Sequence, residues 1–376
     1  MATHKALVLS SFDKPISLET VPTPTATPGS AILRVLAAGL PAYARDIFTG
    51  KLPYVLTLPQ VLGPSCVARV IEVGPDAIVL KPGQLVFVDP TIAARDDSDC
   101  NFLLGLHGGV TEESQRLMRE SWRDGCYAEI VKAPLENCYI LDEEVLIGKL
   151  GYKIHDLANL SCVLVPFGGL EEAGVGAGKT VIVAPATGKF SGGAVLAALA
   201  MGAKVIAAGR NEQGLEKLKT FPGAAERLLT VKLVSDAVKD TAALLAATGG
   251  KGAQAYIDFS PPAAGAHGTP THITACLNTL KRGGIAMFMG GIYSNVEVNY
   301  IGLMMRNITI KAKFMYERAQ AKTLIKMIEF GNLRIGEGSG MTIGGTFGLE
   351  EIEKALDLAE KGKGWGGDVF VVPNRG

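Results

Sequence analysis

The chain has 376 residues, which at about 150 per domain argues for two domains, each long enough to build a core without disulfide or metal staples. Thirty-seven Lys and Arg balance thirty-seven Asp and Glu, so there is no cationic excess of the kind that nucleic-acid or acidic-membrane binding calls for. With 48% hydrophobic residues and no long polar tract, disorder is excluded too.

From Lys5 to about Asp142 short β-rich runs alternate with Pro/Gly turns: Lys5–Leu9, Ala31–Ala38, Cys66–Val73 and Gln84–Val88, with Gly74-Pro75-Asp76 as one such turn. This texture predicts an antiparallel, barrel-like β domain, with the charged, Gly-containing stretch Ala93–Arg123 as a lobe on its surface. Near Ile154 the texture changes. Apolar strands at Thr180–Ala184, Lys204–Ala208, Ala255–Phe259 and Gly284–Met289 alternate with helices at Gly193–Met201 and Glu212–Lys219, which predicts a doubly wound parallel sheet. A helix at Lys322–Phe330 and two closing strands follow, the last at Asp368–Val372. The expected division is residues 1–153 with 319–376, and 154–318.

The six cysteines (Cys66, Cys100, Cys126, Cys138, Cys162 and Cys276) contain no C-x-x-C pair, and no H-E-x-x-H occurs, so the usual trace of a zinc site is absent. They read as buried thiols of a reducing compartment. Met1-Ala-Thr-His-Lys lacks an apolar signal core, and the longest apolar run, Ala194–Ala203, is too short to span a bilayer. The expectation is a cytosolic protein acting on a small molecule.

The most informative stretch is Thr180-Val-Ile-Val-Ala-Pro-Ala-Thr187-Gly188-Lys189-Phe190-Ser191-Gly192-Gly193. A buried strand, a glycine-containing turn and a helix start together make a pyrophosphate seat, because the first helical N–H groups and the helix dipole both face an anion. Ala186-x-Gly188-x-x-x-Gly192 is one residue longer than G-x-G-x-x-G, so the strand before and helix after carry the assignment. A tight turn without ligand is the alternative. After the second strand an NAD site wants Asp or Glu, whereas this chain has Gly209-Arg210-Asn211. A guanidinium there suits a 2′-phosphate, so NADPH is the expected cofactor, with Lys189 as a second phosphate contact. Ala173-Gly-Val-Gly-Ala-Gly178-Lys179-Thr180 mimics a Walker loop, but Lys179 precedes the strand instead of the helix.

In this order, Ala37-Ala-Gly39, Leu62-Gly63, Glu72-Val-Gly74-Pro75, Pro82-Gly83-Gln84-Leu-Val-Phe87, Gly125-Cys-Tyr-Ala-Glu129 and Ala173–Gly178 resemble the medium-chain dehydrogenase/reductase superfamily over nearly the whole chain. Within it the chain looks most like zinc-lacking alcohol dehydrogenase-like and quinone or enoyl reductase-like members. The resemblance implies an α/β protein: a GroES-like β-barrel-type catalytic domain plus a Rossmann domain, with substrate bound between them. Where zinc relatives place ligands, this chain has Pro41, Gly63-Pro64-Ser65 and Ser161, and the four-cysteine lobe retains only Cys100. No metal is therefore expected. Tyr43 matches the proton-relay position of zinc relatives, and Tyr54 lies near an active-site tyrosine of reductase relatives; both are candidate proton donors, the alternative for each being a packed aromatic. Further cofactor contacts implied by position are Pro166, Phe259, Ser260, Gly290, Gly291, Ile292 and Phe314. Val296–Ile301 with Ile308–Ala312 resembles family segments near a subunit contact, favouring a homodimer. His107, His155, His267 and His272 show no pattern that assigns them chemistry.

The leading expectation is an NADPH-dependent, zinc-independent oxidoreductase delivering hydride to a conjugated enone, enal, quinone or imine-like substrate, since a delocalised anion needs no Lewis acid. An alcohol dehydrogenase or ketone reductase with a tyrosine proton donor is one alternative, and a nucleotide-binding protein without turnover is another.

Overall fold

The computed structural model describes residues 2–362 and 364–374. The chain forms two compact units, Met1–Ser161 with Met341–Gly376, and Cys162–Gly340.

In the first unit, β1 (Thr3–Leu9) pairs antiparallel with β2 (Ser17–Pro22). There follow β3 (Ser30–Gly39), α1 (Ala44–Phe48), β4 (Gln60–Val61), β5 (Cys66–Val73) and β6 (Leu85–Val88). A ribbon of β7 (Thr91–Ala93) and β8 (Asn101–Leu103) leads to α2 (Glu112–Ser121), and together they form the lobe expected at 93–123. The chain then returns through β9 (Ile130–Pro134), β10 (Cys138–Ile140) and α3 (Ile154–Ala158). Antiparallel pairing runs β10–β6–β5–β3, with β9 also on β3. Alternation of buried and exposed residues is weak because Leu85–Val88 is buried on both faces.

Helix α4 (Leu160–Glu172) carries the chain into the second unit. There β11 (Thr180–Ala184), α5 (Lys189–Ala200), β12 (Lys204–Gly209), α6 (Glu212–Leu218), α7 (Ala224–Arg227), β13 (Leu228–Lys232) and α8 (Ala237–Ala247) alternate. They are followed by β14 (Ala253–Asp258), α9 (Thr271–Thr279), β15 (Leu280–Phe288), α10 (Tyr300–Met305), β16 (Thr309–Ala312) and α11 (Arg318–Glu329). The strands form one wholly parallel sheet in the order β13-β12-β11-β14-β15-β16, a Rossmann arrangement whose order reverses between β11 and β14. Val181–Ala184 and Val205–Ala208 are fully buried, as continuous apolar strands covered on both faces should be.

Finally β17 (Ile343–Phe347), α12 (Ile352–Lys361) and β18 (Asp368–Val371) rejoin the first unit, with Phe370 opposite Gly39 of β3. The return falls at 341, not at the 319 that the sequence texture suggests. Helix α11 belongs with the second unit because its apolar face, Leu324, Ile325 and Ile328, is buried there and Gln320 Nε2 donates to Gly168 O at 3.3 Å. Of the segment Val296–Ile301, the last two residues lie in α10, which Asn299 caps by accepting from Gly302 N on Oδ1 at 3.0 Å.

Candidate functional site

Helix α5 starts four residues earlier than the sequence suggests, so Lys189, Phe190, Ser191 and Gly192 form its first turn and the loop proper is Pro185–Gly188. Gly188 is the cap: its N–H donates to Ser191 Oγ at 2.9 Å, and Gly192 N makes the first intrahelical bond to Gly188 O at 2.8 Å. The buried Ser191 hydroxyl is thus spent on capping. The N–H groups of Lys189, Phe190 and Ser191 precede any i−4 carbonyl and face out of the positive helix end, which is the geometry an anion seat requires. A Cβ on Gly193 would lie 2.1 Å from Cys162 O and 3.3 Å from Pro166 Cγ. Pro166 has no N–H for that carbonyl, so α4 is locally opened where α5 packs on it, and only glycine fits. Pro166 is therefore buried in the helix crossing. Thr187 turns its methyl towards Gly209 and Gly214, where a Cβ at Gly214 would lie 2.8 Å away.

At the end of β12, Gly209 is buried and Arg210 is exposed. The Arg210 guanidinium makes no hydrogen bond or ion pair among the described residues. Asn211 caps α6 by accepting from Gly214 N at 3.1 Å, and the nearest acidic residue in sequence, Glu212, is taken by Lys232 at 3.0 Å. Lys179, at the start of β11, bonds the Gly174 carbonyl and closes the preceding turn.

The carboxyl ends of β14 and β15 are fixed by a buried polar network that the sequence does not announce. Asp258 Oδ1 accepts from Tyr256 OH at 2.8 Å and Ser260 Oγ at 2.7 Å, while Oδ2 accepts from Ser260 N at 3.1 Å. Because the Ser260 proton goes to Asp258, His272 Nε2, 2.7 Å away, donates to Ser260 Oγ. Burial raises the Tyr256 phenol well above its ordinary value and keeps it a donor. A Cβ on Gly290 would meet Asp258 Oδ2 and Ser260 O at 2.6 Å, and Gly291 N donates to Ser260 O at 2.8 Å. Residues 258–260 and 290–291 are thus locked together, with Ile292 packed on the sheet core. The Ser260 side chain faces inward. Phe259 instead faces Phe190 of the α5 first turn, the rings near-parallel (16°) with centroids 6.5 Å apart. Phe314 is 64% exposed, followed by Met315 in the left-handed region at φ 56°.

In the first unit Tyr43 precedes α1 and Tyr54 follows it, both half-buried. Tyr54 packs edge-to-face on His107, ring centroids 4.9 Å apart and planes at 72°. His107 Nδ1 accepts from Gly109 N at 2.9 Å, and burial lowers its pKa, so the ring is neutral with its proton on Nε2. This partner is invisible in the sequence because the two residues lie on different excursions of the chain. Gly63 packs against Tyr127, whose hydroxyl donates to Gly39 O at 2.9 Å, and Pro64 and Ser65 beside it in sequence are buried. Cys66 of β5 and Cys138 of β10 stand near Cys126, which precedes β9, and burial pushes the Cys66 and Cys138 thiols up, away from the thiolate a metal needs. Among the described residues no three His, Cys, Asp or Glu side chains are grouped so that they could hold a metal ion.

Two family models match the chain: an alcohol dehydrogenase GroES-like domain over residues 27–143 and a zinc-binding dehydrogenase over 192–329. The chain belongs to the medium-chain dehydrogenase/reductase superfamily. Similar members include the L-threonine 3-dehydrogenase of Bacillus licheniformis, 25% identical over 98% of this chain and 99% of that one. The acryloyl-coenzyme A reductase of Metallosphaera sedula is 24% identical over 94% and 96%. A solved zinc-binding dehydrogenase from Sinorhizobium meliloti, bound to NADP, shares the fold with a TM-score of 0.76 at 20% identity, covering 99% of this chain and all of that one. Like these superfamily members, the chain pairs a GroES-like unit with a parallel-sheet Rossmann unit, and no helix among its described residues is long and apolar enough to cross a membrane.

Proposed function

We propose that this medium-chain dehydrogenase/reductase oxidoreductase uses NADPH, without a metal, to reduce a small conjugated substrate such as an enone, enal or quinone. The observation that carries the reading is Arg210: an exposed guanidinium, engaged by no acid, directly after a buried glycine at the end of β12. The α5 first-turn amides would hold the pyrophosphate, and Arg210 the 2′-phosphate. When bound, NADPH supplies hydride. The protein must then orient the acceptor, exclude water and provide a proton, and Tyr54 and Tyr43 are the hydroxyls assigned to that last role. A conjugated acceptor suits the absence of fitting zinc ligands, because the developing charge is delocalised and hydrogen-bond donors suffice. The likeness to an acryloyl-coenzyme A reductase supports it. The likeness to a threonine dehydrogenase favours a second reading, a carbonyl reductase in which the tyrosine protonates the alkoxide. Six free thiols accord with a cytosolic location.

The Arg210→Asp variant tests the cofactor. Loss of a charge-assisted contact worth about 1.5–3 kcal/mol should weaken NADPH binding by roughly 10- to 100-fold in calorimetry while leaving NADH nearly unchanged. Equal losses for both nucleotides would refute the assignment. NADPH depletion against panels of enones and simple ketones separates the two substrate readings.

The same reading includes a homodimer. Strand β16 is the edge of the parallel sheet, all four of its residues are exposed, and α10 beside it buries none of its own. Tyr300, Ile301, Met304, Met305 and Ile310 make this an apolar face around an open edge, which a second copy could cover by strand pairing about a two-fold axis. Ile310→Lys is expected to convert a dimer to monomer in sedimentation; a wild-type monomer at micromolar concentration overturns it.

A further inference from the structure

The family resemblance would put a lobe with four metal-binding cysteines at residues 89–123, and only Cys100 is there. The lobe is nevertheless tightly fixed within the first unit. Gly63 N donates to Gly105 O at 3.1 Å, and a Cβ on Gly105 would lie 2.6 Å from Gly63 O and 3.0 Å from Gly125 Cα, so three glycine backbones cross in contact. Two residues on, His107 exchanges both backbone bonds with Leu103, at 3.0 and 2.8 Å. Thr111 and Ser114 cap α2 reciprocally, and Gly109 lies so close to Ser114 Oγ (2.2 Å from a Cβ) that no side chain fits. The imidazole is therefore held by its own backbone and by the Gly109 N–H on Nδ1.

This fixed ring meets Tyr54. One residue further along each strand of chain, Gly108 N donates to Val55 O at 2.6 Å, and a Cβ at Gly108 would crowd Val55 O and Met118 Sδ at 3.2 Å. The segment 54–55 is thus gripped twice: its main chain by a hydrogen bond, its phenol by a perpendicular aromatic contact. The ring contact restricts the side-chain torsions of the phenol, and the hydrogen bond fixes the main chain next to it.

We propose that His107 is the positioning residue for Tyr54: the lobe locks the imidazole, and the imidazole holds the phenol in the attitude from which it donates its proton to substrate. The proposal rests on Tyr54 being the proton donor, and its test separates the two claims.

Full-length protein labelled with 3-fluorotyrosine gives a Tyr54 fluorine resonance, assigned by its loss in Tyr54→Phe. His107→Ala should shift and broaden that resonance. With NADPH and 2-cyclohexenone, or whichever enone the substrate panel selects, it should lower kcat about tenfold, the order expected for a misoriented donor, with KM for NADPH unchanged. In the Tyr54→Phe background the same change should add no further loss. His107→Phe keeps a ring but lacks the Nδ1 acceptor, and should restore part of both signals; it also serves if the alanine variant does not fold. A lowered melting temperature with the Tyr54 resonance and kcat both at wild type would overturn the proposal, as would an equal kcat loss with and without Tyr54. Full turnover by Tyr54→Phe sinks only the proton-donor reading, leaving the fluorine resonance to decide the positioning claim.

Discussion

In the second unit the groups proposed to seat a dinucleotide are main-chain N–H groups at the start of α5, beside glycines at 188 and 193. In the first unit the candidate chemistry is carried by two side chains, Tyr54 and His107, brought together by a lobe that crosses Gly63. The difference teaches where specificity is stored. A backbone seat depends on the absence of side chains at a few positions and tolerates change elsewhere. A side-chain corner depends on long-range packing and is sensitive to everything that supports it.

The largest expected effect tests the backbone half. Gly193→Val would drive a branched side chain into Cys162 O, already 2.1 Å from a single Cβ, and neither partner is a flexible side-chain end. The cost should be about 3 kcal/mol or more, near the upper end for overpacking, seen as a lowered urea midpoint together with lost nucleotide binding. Wild-type stability in this variant would show that the helix crossing is looser than described, and the contrast between the units would lose its basis.

A second variant blurs the contrast in a useful way. The loop at the end of β14 belongs to the second unit, yet a side chain holds it. Asp258→Ala leaves the Tyr256 hydroxyl, the Ser260 hydroxyl and the Ser260 N–H without their acceptor in a buried site. About 3 kcal/mol of stability should be lost in chemical denaturation, since unsatisfied buried donors retain their full desolvation cost. NADPH affinity should fall as well, because Gly290 and Gly291 are referenced to the same residues. Unchanged affinity with reduced stability would confine the network to a structural role.

The same distinction explains what could be read from sequence. The parallel strands were legible because runs such as Val181–Ala184 are continuous and apolar, and the second strand ended visibly at Gly209-Arg210. The start of α5 is not legible because Gly192-Gly193 looks like loop, and what requires glycine at 193 is Cys162 O, which lies in another helix. The segment Val296–Ile301 alternates, but its last two residues belong to the helix that Asn299 caps. His107 and His272 carried no signal, since each acquires meaning only from a partner distant in sequence: Tyr54 for the first, Ser260 for the second. Functional groups made of backbone leave a local glycine pattern, whereas pairs of side chains leave none.

The smallest expected effect comes from a side-chain pair that water can reach. Arg69 of β5 holds Glu143 through two bonds, at 2.5 and 3.0 Å, with both side chains partly exposed. The Arg69 guanidinium keeps the Glu143 carboxyl below its ordinary pKa. A carboxylate whose folded pKa is depressed contributes stability above its unfolded value, about 4.3, and loses it as pH falls through the lower folded value. Glu143→Gln should therefore cost about 0.5 kcal/mol at neutral pH, as solvent-screened pairs do. The gap between variant and wild type should close below about pH 4 as the wild-type carboxyl takes up its proton. Thermal melts of both proteins across that range measure the gap directly. A loss as large as that of Asp258→Ala, or one that persists in acid, would mean that this pair is structural in the manner of the buried network and that exposure does not separate the two.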